Sequence, residues 1–193
     1  MYLQDRAHCW LRNVTFRGNV AESSAGAIAL LVNSTAIIVD CIFEENRSGS
    51  KGGAVAALNR GHPIIRRTII RNNTAKSGGA IYCTDSTITQ VEHCVINDNL
   101  AMSRGGALYT SGEATLVIKN STVDRNTAQS GPGGGVLLQD FVQIDFTNVT
   151  VSVRIPTLAL SFPLIFMSYR TIMLHMVVQC ITSRILHWRQ PVV

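Results

Sequence analysis

The sequence repeats itself about every 27 residues over most of its length, and this period limits the folds that it can adopt. A bulky apolar residue followed three positions later by Asn recurs with Asn-to-Asn spacings of 27, 27, 26 and 27 residues. A Gly-rich signal keeps the same step along the chain. Two independent signals in one register predict a stack of equal structural units. The Asn pairs are Phe16/Asn19, Phe43/Asn46, Ile70/Asn73, Ile96/Asn99 and Val123/Asn126, and the Gly signal is centred on Gly26, Gly53, Gly79, Gly106 and Gly134.

The apolar runs within each repeat favour strands over helices. They are short, rich in Val, Ile and Thr, and bounded by Gly, Asn, Asp and Ser. None is long enough for a helix with 3.6-residue periodicity. A unit of this size cannot bury its own apolar face, whereas stacked coils whose strands pair in parallel at ~4.8 Å can. We therefore predict an all-β fold, a right-handed parallel β-helix (solenoid) of about five coils over residues 1–154.

The aligned repeats also predict which side chains point inward. Counting back from the bulky position, the third column is small and the sixth is aliphatic, while the residues between them are mostly polar. We expect the Asn column to occupy a tight corner, in the left-handed backbone region, with its amides bonded to neighbouring coils. The paired glycines predict a second corner with positive φ or close backbone approach. We interpret both the Asn column and the Gly column as structural features of the repeat rather than as an active site.

Composition excludes several classes of protein. An apolar content of 46% and a charged content of 15% argue against disorder. Residues 1–154 hold 14 Lys/Arg and 12 Asp/Glu, so this region is nearly neutral and a nucleic-acid partner is not expected. The N-terminal segment has no uninterrupted apolar run typical of a secretory signal. We expect that the chain either is not secreted or begins inside a longer protein.

Residues 155–193 have a different character, with three Arg, no acidic residue and two charge-free runs separated by Arg170. Each run is shorter than the ~20 apolar residues of a membrane-spanning helix. Three interpretations stay open: a cap on the last coil, a membrane or interfacial segment, and a non-native terminus. Any membrane association is expected only through residues outside the β-helix.

The repeats resemble those of the chlamydial polymorphic outer-membrane proteins and, more broadly, pectin-lyase-like domains, over about residues 9–153. Gly52-Gly53-Ala54-Val55, Gly78-Gly79-Ala80-Ile81 and Gly105-Gly106-Ala107-Leu108 fit the GGA[ILV] motif of that family. Phe16-Arg17-Gly18-Asn19 and Phe43-Glu44-Glu45-Asn46 fit its FxxN motif. The later repeats replace Phe by Ile or Val, and the first and last Gly motifs read AGAI and GGGV. The resemblance implies an adhesin displayed on the outer membrane or cell surface.

The alternative function is a fragment of a polysaccharide lyase or glycoside hydrolase, since such enzymes also use β-helices. Their chemistry needs clustered carboxylates or calcium. Asp98 and Asp124 come closest, because they fall on neighbouring coils beside the Asn ladder, and they are interpreted as a solvated pair. The Gly61-His62-Pro63 sequence superficially resembles a polygalacturonase motif, but His62 is expected to begin a strand. We predict no catalytic residue, no metal site and no cofactor.

Candidate binding residues are those whose residue type the repeat does not require at their position. Tyr82 and Tyr109 occupy the same outward column on adjacent coils, beside a patch of small residues, and could contact a sugar or a protein. The competing interpretation is that Tyr simply suits an exposed strand. We predict a non-catalytic cell-surface or extracellular module for adhesion or rigid display, with a host or matrix protein or a glycan as its partner.

Six Asn-x-Ser/Thr sequons and five cysteines complete the candidates. We expect accessible glycosylation acceptors at Asn13, Asn33, Asn72, Asn120 and Asn148 in a eukaryotic secretory pathway, and Asn46 is a sixth sequon within the Asn ladder. The competing interpretation is that Asn, Ser and Thr are frequent because they form turns and strands. Cys41 and Cys94 lie two coils apart, too far for a disulfide, and are predicted to be buried free thiols.

Overall fold

Short strands recur once per repeat and pair in parallel with their copies on the adjacent coils. The computed structural model describes residues 1–153 and 165–168, which form a parallel β-solenoid of about six turns with no helix. The predicted fold class is confirmed, with one more turn than the five complete repeats counted from the Asn and Gly signals.

Three ladders of strands run along the solenoid, and all their pairings are parallel. Sheet A comprises Tyr2–Leu3, Ile28–Leu30, Val55–Ala57, Ile81–Cys83, Leu108–Ser111, Val136–Gln139 and Ile165–Ser168. Sheet B has one row of His8–Arg12, Thr35–Val39, His62–Arg66, Ile88–Glu92 and Gln143–Val153, and a second row of Thr15–Arg17, Ile42–Glu44, Ile69–Arg71 and Val95–Asn97. Sheet C comprises Val20–Ala21, Arg47–Ser48, Thr74–Ser77 and Leu100–Arg104. The long strand Thr115–Ala128 contributes to both rows of sheet B and to sheet C, and Gln143–Val153 likewise continues from the first row into the second.

The core fills the inside of the coils with ladders of like residues, as the aligned repeats predict. The sheet A ladder of Ile28, Val55, Ile81, Leu108 and Val136 is fully buried. On sheet B, Ile38, Ile65, Val91 and Ile118 are equally inaccessible, and the rings of Phe16 and Phe43 stack with centroids 4.8 Å apart. Like side chains meet because coils of constant length place equivalent positions above one another.

Each coil turns at five left-handed residues that also stack in columns. The two rows of sheet B meet at Asn13, Asp40, Arg67, His93, Asn120 and Asn148, whose φ values lie between 46° and 56°. A second corner, after each sheet A strand, carries two consecutive left-handed residues, such as Asn59 and Arg60. There the second residue of each pair donates its N–H to the carbonyl of the next coil, as from Arg60 to Asp85 at 2.9 Å.

The Asn ladder is a buried hydrogen-bonded column, but its backbone differs from the prediction. The left-handed residue is the one before each ladder Asn: Gly18, Glu45, Asn72, Asp98 and Arg125. The ladder Asn itself turns inward, where its amide bonds backbone groups of the preceding coil and the side-chain oxygen of the next ladder Asn, as at Asn46 and Asn73. Asn46, Asn73, Asn99 and Asn126 are therefore at most 1% exposed.

The paired glycines serve the two purposes that were predicted for them, one at each position. The first of the pair has a positive φ at Gly52, Gly78, Gly105 and Gly133. The second approaches backbone on the adjacent coil so closely that no side chain fits there. A Cβ at Gly79 would lie 2.7 Å from the carbonyl carbon of Leu100.

The predicted C-terminal tail, residues 155–193, is described only for the backbone of Ile165–Ser168. That strand pairs in parallel with Val136–Gln139 and extends sheet A by one strand. The choice between a cap, a membrane segment and a non-native terminus otherwise lies outside the described residues. Among the described residues, no helix has the length and apolar character to cross a membrane.

Candidate functional site

Tyr82 and Tyr109 stack face to face on the outside of sheet A. The register pairs the two residues directly, their ring centroids are 4.9 Å apart, and their planes are inclined by 10°. Their column continues with Ala56 on one side and Leu137 on the other. The predicted adjacency of the two rings is therefore confirmed.

A cation lies over each ring of this pair. Lys51 Nζ is 5.4 Å from the centroid of Tyr82, and the guanidinium carbon of Arg104 is 5.4 Å from the centroid of Tyr109. Since each ring has one face against the other ring, the cations lie on the two outer faces. We call these four residues, Lys51, Tyr82, Tyr109 and Arg104, the cation–aromatic stack.

The expectation of a flat aromatic pair open to ligand is wrong for Tyr109. This residue is only 6% exposed, and its hydroxyl donates to Gln139 Oε1 at 3.2 Å. Tyr82 is half-buried. Burial raises the pKa of Tyr82 to about 12, with smaller contributions from neighbouring groups, so its hydroxyl keeps its proton at neutral pH.

The cations of the stack follow a column that the sequence analysis missed. Lys51, Ser77 and Arg104 are aligned on successive coils by parallel pairing. Each lies five residues before the outward position of its own sheet A strand: Ala56, Tyr82 and Tyr109. Aligning the repeats at that offset would have placed the two cations beside the two tyrosines.

One protein family matches nearly all of the described solenoid. Residues 1–151 match the family described as a right-handed β-helix region. The chain belongs to this family. No curated protein and no solved structure matches it. Membership of the right-handed β-helix family confirms the predicted repeat architecture and its hand.

Within this β-helix, the two candidate catalytic carboxylates are held by one guanidinium. Arg125 donates from Nε and Nη2 to the two oxygens of Asp98, each at 2.9 Å, and from Nη1 to Asp124. The hydrogen bond to Asp98 and the charge of Asp124 raise the pKa of Arg125. The Ser152 hydroxyl also donates to Asp124. The pair that was interpreted as solvated is thus an ion-paired cluster at the surface.

The remaining candidates fall where the repeat places them. His62 begins the strand His62–Arg66, as predicted. Cys41, Cys83 and Cys94 are buried free thiols, and Cys9 is half-buried and free. In the described part of the β-helix, no group of three or more His, Cys, Asp or Glu residues could hold a metal ion.

Five of the six sequons present their Asn at the surface. Asn13, Asn72, Asn120 and Asn148 are exposed and Asn33 is partly exposed. Asn120 accepts a hydrogen bond from Asn148 Nδ2 at 3.0 Å, so these two acceptors contact each other. Asn46 is 1% exposed because its amide belongs to the buried ladder.

Proposed function

We propose that this β-helix is a non-catalytic module, displayed at the cell surface or secreted, that binds a protein or glycan through the lateral face of sheet A. The observation that carries the proposal is the stacking of Tyr82 on Tyr109. The same position is occupied by Ala29, Ala56 and Leu137 on other coils and by Tyr2 and Phe166 at the two ends, so the repeat accepts a small or aliphatic residue there and does not require an aromatic one.

The surface chemistry of Tyr82 supports a binding role. Aromatic residues with a polar end are enriched among the residues that carry most of the energy of interfaces. Tyr82 is half-buried, stacked and held beneath Lys51, so little side-chain freedom is left to lose on binding. A rigid solenoid then serves as the support that presents this residue.

The experiment is a comparison of binding to arrays of glycans and matrix proteins. Tyr82→Ala is expected to weaken binding while thermal unfolding stays cooperative. Trp10→Ala is the matched control, because Trp10 is a 73% exposed aromatic residue on sheet B, away from the proposed face. Array binding that is unchanged in Tyr82→Ala, or lost equally in Trp10→Ala, would rule out this site.

The competing function is polysaccharide cleavage, for which the convergence of Asp98 and Asp124 on Arg125 is the relevant observation. It predicts release of reducing ends or unsaturated products from uronate polymers. This activity should disappear in Asp98→Ala and in Asp124→Ala and persist in Tyr82→Ala. An activity screen without turnover would favour the binding module.

A further inference from the structure

Cations on the two sides of the solenoid have different surroundings. On sheet B and its corners, Arg12, Arg17, Arg66, Arg67, Arg71, Lys119 and Arg125 all form ion pairs with carboxylates. On sheet C and the turn that follows it, Arg47, Lys51, Lys76 and Arg104 form no ion pair within the described chain. Glu22 is the one acidic residue in the equivalent stretches 20–24, 47–51, 74–77 and 100–104. The strip beside the tyrosines therefore carries uncompensated positive charge.

A ligand that approaches the cation–aromatic stack meets the two cations and the edges of the rings, and not the ring faces. One face of each ring lies against the other ring, and the outer faces lie beneath Lys51 and Arg104. The edge of an aromatic ring carries partial positive charge. The Tyr82 hydroxyl is a further donor, since no acceptor for it occurs among the described residues. The charge of Asp85 also acts on the Tyr82 hydroxyl, so the groups of the stack that favour an anion are the two cations and the ring edges.

The spacing of the cations favours a polymer that lies along the solenoid axis. Lys51 and Arg104 are two coils apart with Ser77 between them, so their backbones are separated by roughly 10 Å at the usual ~4.8 Å per strand. A linear polysaccharide with negative groups on alternating sugars can place successive charges on both cations. Its apolar C–H faces can then contact the edge of Tyr82.

We propose that the cation–aromatic stack binds a sulfated linear polysaccharide running across the coils, with Lys51 and Arg104 contacting sulfate groups and Tyr82 contacting the intervening sugar. This proposal rests on the proposed binding function and specifies its ligand class. Sulfate fits the site because its oxygens accept charge-assisted hydrogen bonds from an ammonium group such as Lys51 and from a guanidinium group such as Arg104.

The test measures binding of the full chain to immobilised heparin as a function of salt. Wild type is expected to bind at low salt and to weaken as salt screens the charges. The Lys51→Gln/Arg104→Gln double variant is expected to lose about tenfold in affinity, equivalent to about 1.4 kcal/mol. Tyr82→Ala is also expected to bind more weakly. Desulfated, N-acetylated heparin should bind poorly, because it retains the carboxylates but lacks the sulfates.

The matched control removes the same charge from another place. Arg6 and Arg60 occupy the double left-handed corner and form no ion pair within the described chain, so Arg6→Gln/Arg60→Gln lowers the net charge equally. This variant is expected to bind heparin like wild type. An equal loss in both double variants would show general charge attraction and would overturn the assigned site.

Other outcomes separate this proposal from the function on which it rests. Tyr82-dependent binding to a neutral glycan or to a protein, without heparin binding, would overturn the sulfated ligand and leave the binding module intact. Tighter binding to a single-stranded oligonucleotide or to polyglutamate than to heparin would also overturn it. If no ligand on the arrays depends on Tyr82, the proposed function itself fails.

Discussion

Asn73 joins its coil to the next through two hydrogen bonds to one atom of Asn99. The backbone N and the side-chain Nδ2 of Asn73 both donate to Asn99 Oδ1, at 2.9 and 3.0 Å. The same Nδ2 also donates to the carbonyl oxygens of Phe43 and Arg71. A single buried amide therefore connects three consecutive coils.

Asn73→Ala is expected to destabilise the fold by about 2–4 kcal/mol, because it leaves several buried groups without partners. Asn19→Ala is the control from the same ladder. Asn19 is exposed and its side chain bonds only to Asn46 among the described residues, so its loss is expected to cost about 1 kcal/mol or less. Urea unfolding of both variants provides the measurement. Equal costs would mean that the buried amide network contributes little.

Gly79 of a glycine pair and Gly18 of the Asn corner predict two different penalties for the same Gly→Ala change. Gly79 needs space, since an added Cβ would overlap the carbonyl oxygen of Gly106 and the backbone of Leu100. Gly18 has open space but a φ of 64°, so Ala there meets only the cost of a left-handed backbone, about 1–2 kcal/mol. We expect Gly79→Ala to cost about 3 kcal/mol or more, or to prevent folding. Unfolding midpoints in which Gly18→Ala is the worse variant would contradict this assignment.

The period, the sheets and the inward columns were predictable because stacking couples every repeat to its neighbours. Ile65 must match Ile38 and Val91 in direction, whatever the local preference of its segment. Because of the same coupling, many of the left-handed residues at the corners could not be predicted from local sequence patterns. Val32, Glu45 and Phe141 adopt positive φ although none is typical of a turn. The coil above and below fixes their backbone, so local turn chemistry identified the glycine corner correctly and placed the left-handed residue of the Asn corner one position too late.

The candidate site was half predictable for a related reason. The period alone places Tyr82 beside Tyr109. The burial of Tyr109 accompanies side-chain contacts with the neighbouring coils, such as its hydrogen bond to Gln139, and a linear pattern does not encode them. The cations Lys51 and Arg104 were missed because they lie five residues before the tyrosine column, at or just after the end of a sheet C strand, where charged residues are ordinarily interpreted as solvated.

Burial predicts an order of reactivity for the cysteines. Desolvation raises the pKa of Cys83 to about 12 and that of Cys94 to about 11, so neither forms the reactive thiolate at neutral pH. Cys9 is half-buried, and desolvation also raises its pKa. In the folded protein at pH 7.5, we expect iodoacetamide to label Cys9 slowly and Cys41, Cys83 and Cys94 only after denaturation. Peptide mass mapping measures each site separately, and rapid native labelling of Cys83 or Cys94 would contradict the buried ladder.

Ion pairing of Asp40 predicts a pH-dependent contribution to stability. The hydrogen bond and charge of Arg67, with a smaller contribution from Arg12, lower the pKa of Asp40 below its usual value. A lowered folded-state pKa gives stability that is present above the unfolded value, about 4, and is lost as pH falls through the folded value. Asp40→Asn should therefore lower Tm at pH 7, and the difference from wild type should shrink as the pH falls below 4 or as salt rises. The control is Asp5→Asn, because Asp5 lies at a corner and forms no ion pair among the described residues. A Tm difference between Asp40→Asn and wild type that grows in acid would contradict the assignment.

The sequons provide a test that distinguishes buried from exposed Asn without perturbing the fold. When the chain is directed through a eukaryotic secretory pathway, we expect glycans at exposed Asn13 and Asn72 and none at Asn46. Asn120 and Asn148 bond to each other, so a glycan on one is expected to reduce occupancy of the other. Glycopeptide mass spectrometry gives the occupancy of each site, and Asn148→Gln should raise occupancy at Asn120. A glycan on Asn46 in protein that still unfolds cooperatively would contradict its place in the ladder, because its Nδ2 donates to Phe16 and Asn73 and cannot also carry a sugar.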